Sequence, residues 1–154
     1  MTQTALSVAD ILKNDGPVAI VALLETLINE AYGARSSDIH IEPTEHALVV
    51  RARVDGILRD LCVFPKHIHS EIIMRIKVIA HLRTDEHSAA QDGRFRIMMH
   101  DEKPLDVRVS ITPTYHGENA VLRLLADNHS DYTLRGLGFR EENEQKILSA
   151  LAPP

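Results

Sequence analysis

Tryptophan is absent from this 154-residue chain, phenylalanine and tyrosine are few, and cysteine occurs once, as Cys62. Each shortage excludes something. A lone thiol closes no disulfide within one chain and builds no cysteine-based zinc site, which fits a reducing compartment. With so few rings, a stacking platform for single-stranded nucleic acid is hard to assemble, and a net charge of −5 gives no general attraction to phosphate backbones or anionic lipid. Nucleic acid is therefore not an expected partner. No apolar run approaches the ~20 residues that span a bilayer. Met1 to Asp15 lacks the basic start and apolar stretch of a signal peptide, so the cytoplasm is the expected compartment. No glycine is followed by lysine, so the phosphate-cradling G-x-x-x-x-G-K-[ST] loop is missing and this polypeptide alone is not expected to hydrolyse ATP. Ser110 sits in an alternating run rather than on a G-x-S-x-G elbow, which disfavours a nucleophile triad. His40 with Glu42, and His67 with His69, lack a third ligand, so no metal site is expected.

What remains is an ordinary globular composition, enough for one buried domain with a short appended element. Ser7 to Asn14 reads as a marginal amphipathic helix, punctuated by Gly16-Pro17. Pro17 then opens a helix in which Val18, Val21, Leu24, Leu27, Ile28 and Ala31 recur at helical spacing, with Gly33 as its stop. Asp38 to Glu42 alternates strictly, predicting a strand with Ile39 and Ile41 inward. Leu48 to Val54 and Ile57 to Val63 are two more, joined by the hairpin signal Asp55-Gly56. Pro65 is expected to open a second helix with a stripe of Ile68, Ile72, Ile76, Ile79 and Ala80. Asp92-Gly93 reads as a turn into a strand centred on Phe95 and Ile97. Leu105 to Ile111 is a fifth strand, Thr112 to Glu118 a loop, Ala120 to Leu125 a sixth strand, and Glu141 to Leu151 a last helix. Strands grouped in hairpins around helices predict an α+β fold: an antiparallel sheet of about six strands with helices packed on it.

Arginine placement is the unusual feature. Arg51 and Arg53 share one strand face, Arg94 and Arg96 another, and Arg108 and Arg123 stand on the next two strands. A guanidinium is a permanently charged planar fork suited to carboxylate or phosphate oxygens. Two readings stay open. Cross-strand pairs with Asp55, Asp60 or Asp106 would make these residues structural. Alternatively, at least one of them faces a phosphate.

Taken together, several segments resemble the type II secretion and type IV pilus assembly ATPases. Ser37 to Pro43 (SDIHIEP) resembles that family's ASDIHIEP signature, and Arg51 to Leu58 (RARVDGIL) its R-x-R-x-DG-x-L hairpin. Arg75 to Ala80 (RIKVIA), Gln91 to Arg94, Asp106 to Ser110, Pro113-Thr114 with Gly117-Glu118, and Val121 to Leu125 follow in the family's order. The likeness covers Pro17 to Pro154 and departs from the pattern at Thr84 to His87 and at Ser88-Ala89-Ala90.

The resemblance implies a PAS-like domain over residues 17–127, a short N-terminal segment over 1–16, and a linker and helix over 128–154 leading toward a RecA-like ATPase domain. It implies ATP and magnesium as cofactors of that longer protein, hexameric neighbours, and inner-membrane platform proteins as partners. Residue by residue, it carries the phosphate-facing role to Arg94 and Arg108 as catalytic arginines, and nucleotide binding to Arg123. The alternative from another class is a free-standing PAS-like module that binds a ligand or partner without catalysis.

Overall fold

The computed structural model describes residues 20–125 and 133–151. Alternating sequence builds β1 (Asp38–Pro43), β2 (Ala47–Val54) and β3 (Ile57–Pro65), and a second set forms β4 (Gln91–Met98), β5 (Pro104–Thr114) and β6 (Gly117–Leu125). Each set is a meander, and β1 joins β6 so that the six strands run in the order β3-β2-β1-β6-β5-β4. All five pairings are antiparallel. The expected α+β architecture is therefore the observed one.

Helices α1 (Ile20–Gly33) and α2 (His69–Ile79) supply the apolar cover for the sheet's core side. Leu23, Leu27, Ile28 and Ala31 of α1 and Ile72, Ile73 and Ile76 of α2 join Ile39, Ile41, Leu48, Val50, Val107, Ile111, Ala120 and Leu122 in one buried cluster. Each fully buried Leu, Ile or Val side chain in it contributes about 1.5–3 kcal/mol of transfer free energy. The third helix, α3 (Glu141–Leu151), buries none of its residues.

Asp55 and Gly56 both take positive φ, 50° and 81°, as the expected two-residue hairpin demands. Other expectations need correction. Pro65 ends β3 instead of opening a helix; a 3-10 turn, Lys66–Ile68, intervenes before α2. Val21 is 45% exposed, and Leu23 takes the core position beside it. Asp92-Gly93 is not a turn but part of β4, opposite Ser110 and Val109. The segment 112–118 is not a loop either: β5 runs to Thr114, β6 starts at Gly117, and only Tyr115-His116 turns between them. Pro113 is tolerated because β4 pairing stops at Ile111, so β5 is an edge where the proline lacks its N–H. Ser7 to Asn14, Pro17, Val18 and, in the linker and helix over 128–154, residues 128–132 and 152–154 lie outside the described residues.

Candidate functional site

The sheet face turned away from α1 and α2 is where the arginines stand. Side chains alternate along a strand, so the neighbours of core positions project to this face. They include Asp38, His40 and Glu42 on β1, Arg51 and Arg53 on β2, Arg94 and Arg96 on β4, Asp106 and Arg108 on β5, and Arg123 on β6. Register then decides which of them meet. Arg53 is opposite Asp38, Asp38 opposite Arg123, Arg123 opposite Arg108, and Arg108 opposite Arg94. One row thus crosses five strands, with a single carboxylate followed by three arginines. Adjacent strands lie about 4.8 Å apart, so the three arginine backbones span roughly 10 Å.

Counter-charges divide the arginines into two groups. Asp38 is nearly buried; its carboxylate accepts from Arg123 Nε at 2.9 Å and Ser37 Oγ at 2.8 Å, with Arg53 Nε at 3.6 Å. Burial alone would raise the Asp38 pKa, but hydrogen bonds from Arg123 and Ser37, with the Arg123 charge, outweigh it and hold the carboxyl below its ordinary value. Arg51 pairs with Glu42. Arg96 binds Asp106 through two bonds, Nε at 2.7 Å and Nη2 at 2.6 Å, and the Arg96 hydrogen bonds pull the Asp106 carboxyl down in pKa. Arg94 and Arg108 are exposed and make no hydrogen bond or ion pair among the described residues, although the field of Arg94 reaches Asp106.

The structural reading of the arginines therefore holds for part of the set. Arg51, Arg53, Arg96 and Arg123 are ion-paired within their own sheet. Arg94 and Arg108 lie side by side without a carboxylate between them, and Arg123 joins that pair to Asp38. Of the three expected acidic partners only Asp106 serves. Asp55 lies in the hairpin turn, and Asp60 faces Arg51 in register while Arg51 binds Glu42. Asp38 and Glu42 are the partners that sequence reading missed. Their spacing put them on one strand face with His40; which strand would lie alongside was not visible. His40 itself is half-buried, with Nδ1 at 3.7 Å from Glu42 Oε1, and burial holds its imidazole below the ordinary pKa despite the Glu42 charge.

Residues 12–154 match the family described as type II/IV secretion system protein. The chain belongs to this family. Among its relatives is the type II secretion system protein E of Pectobacterium carotovorum subsp. carotovorum, 39% identical over 145 residues, which cover 94% of this chain and 29% of that protein. The type IV pilus assembly ATPase PilB of Myxococcus xanthus is 38% identical over 126 residues, covering 82% of this chain and 22% of the relative. The fold is also that of part of the Legionella pneumophila ATPase DotB, whose X-ray structure superposes with a TM-score of 0.56 at 14% identity, over 99% of this chain and 37% of that one. This secretion-family domain thus spans less than a third of the length of the curated relatives it matches. Among its described residues no helix is long and apolar enough to cross a membrane.

Proposed function

We propose that this chain is the regulatory, arginine-supplying domain of a secretion or pilus-assembly motor ATPase. In this reading a RecA-like domain of the same protein holds ATP and magnesium, and Arg94 and Arg108 close over its phosphates, with Arg123 at the margin of the nucleotide. Closure couples neighbouring subunits of a hexamer that works in the cytoplasm beneath inner-membrane platform proteins. The relatives' names and the order of the shared motifs support the setting. One observation supports the assignment of residues: Arg94 and Arg108 face each other across β4 and β5 with no carboxylate of their own.

Like charges directly opposite on a sheet destabilise it, so such a pair is a cost unless an anion completes it. A planar guanidinium delivered to a phosphoryl group offsets charge that develops in the transition state, and does so best where water is excluded. An arginine contributed from outside the nucleotide-binding loop is an established device for phosphoryl transfer. Arg51, Arg53 and Arg96 are poor candidates because carboxylates already occupy them, and Arg123 is placed only at the margin because its Nε is already bound to Asp38.

The test is ATP turnover by the full-length protein carrying Arg94→Ala or Arg108→Ala. Each should fall roughly a hundredfold or more, by the scale of single electrostatic donors and arginine fingers. Thermal stability should stay level or rise slightly, because a like-charge neighbour is removed. Unimpaired turnover in both variants would leave the domain as a partner-binding module with no phosphate role.

A further inference from the structure

Arg94 stands on β4, an edge strand of the sheet. The chain enters β4 through residues 80–90, which contain neither helix nor strand. Such connections are usually mobile and leave the next strand loosely aimed, yet this one is fastened repeatedly. Leu82 N donates to Lys77 O at 2.8 Å. The Gln91 amide clamps Arg83 from both sides, accepting from Arg83 N at 2.9 Å and donating to Arg83 O at 3.0 Å. It also donates to Glu86 O at 3.2 Å. Gly93 lies so close under the end of α2 that a Cβ there would meet Ala80 O at 2.7 Å and Leu82 Cδ2 at 2.8 Å.

The deepest fastening is a buried lysine. Lys77 is fully enclosed, and its ammonium donates to Glu86 O at 2.5 Å and lies 2.7 Å from Glu118 Oε1 on β6. His87 Nδ1 is 2.8 Å from Glu118 Oε2 and 3.3 Å from Lys77 Nζ. A carboxylate cannot donate, so Nδ1 carries the hydrogen toward Glu118, and its contact with the ammonium is not a hydrogen bond. His69 Nε2 bonds the backbone oxygen of Glu118 at 2.8 Å. Lysine is almost never buried without such pairing.

A buried ion pair is a poor stabiliser compared with apolar side chains of the same volume, although breaking it from one side is costly. What apolar side chains could not do is grip the Glu86 carbonyl. We infer that Lys77 is a positioning residue: with Glu118 as its anchor, it ties the middle of the 80–90 connection to α2 and β6, and so fixes β4 where Arg94 lies beside Arg108. This rests on the phosphate-facing role proposed for Arg94.

The decisive variant replaces the pair together, Lys77→Met with Glu118→Leu, in the full-length protein. Folding is retained because neither charge is left alone, while the tie from α2 to the Glu86 carbonyl is lost and only the Gln91 bond to it remains. The expected result is a kcat for ATP hydrolysis lowered roughly tenfold to a hundredfold, the scale of a misplacement of about 1 Å, with KM little changed. In an Arg94→Ala background the same replacement should lower kcat no further, since the residue it aims is gone. Gln91→Ala opens the clamp without touching the buried pair and should show the same non-additivity, which covers a paired variant that fails to fold. A folded paired variant with wild-type kcat, or one whose loss multiplies with that of Arg94→Ala, overturns the inference. Hydrogen exchange of the Gln91–Met98 amides separates the layers. Faster exchange in the paired variant, with Arg94→Ala fully active, means that the tie exists but the role of Arg94 does not. Unchanged exchange means that there is no tie.

Discussion

Replacing Asp38 by Asn tests the electrostatics of the arginine row with almost no change in shape. The amide keeps an oxygen for Arg123 Nε, now 2.9 Å from Oδ1, and can reverse its bond with Ser37. What is lost is the charge facing Arg123 and Arg53. Charge-assisted hydrogen bonds are about twice as strong as neutral ones, which puts the loss at about 1–2 kcal/mol. The Arg123 side chain is 64% exposed, so solvent screening favours the lower end. For a domain of this size each kcal/mol moves Tm by about 2–4 °C, giving a fall of roughly 2–8 °C at neutral pH. The sign with pH comes from the depressed Asp38 value. Its contribution is fully present above the unfolded carboxyl value of 3.8 and is lost as pH falls through the lower folded value. Thermal melts of both proteins across acid and neutral pH should show a gap that closes in acid. A gap that is independent of pH, or no gap at neutrality, would refute the assignment of Asp38 as the row's counter-charge.

Three other outcomes are expected. Gly93→Ala should destabilise the fold by about 1–3 kcal/mol, because the new methyl group overlaps the backbone oxygen of Ala80; chemical denaturation measures it. Stability should fall in two stages on acidification. The shallow stage begins below the unfolded histidine value of 6.5, since burial holds His40 below it and the unfolded chain takes up the proton first; the steeper stage lies below 4.5, as Glu118 loses the negative charge that Lys77 and His87 stabilise against burial. Calorimetric scans of a His40→Gln variant should lack the first stage. Cys62 should react slowly with maleimide at neutral pH, because burial, with the Glu30 charge, pushes its thiol up to about 12, and unfolding in denaturant should restore ordinary reactivity.

Periodicity alone placed the inward pair Ile39 and Ile41 and the stripe of Ile68, Ile72 and Ile76, since burial on one side imposes a period that a single sequence displays. The Asp55-Gly56 hairpin was legible for a similar reason: only a few residues accept positive φ. Segments whose conformation is settled by distant neighbours were misread. Asp92-Gly93 carries a local turn signal, but Gly93 is there because α2 passes close by. Pro113 carries a breaker signal, yet it sits where β5 has lost one neighbour.

The candidate site divides in the same way. Local alternation determined that Arg94, Arg108 and Arg123 stand on strand faces with charged heads outward. It could not determine that the three form one row, because their alignment depends on register between strands distant in sequence. Nor could it pair Asp38 with Arg123, 85 positions away, or Lys77 with Glu118. Sequence sets each residue's face and charge through bonds along the chain. Only tertiary pairing decides which charges become neighbours, and therefore which guanidinium groups are neutralised at home and which are left facing outward.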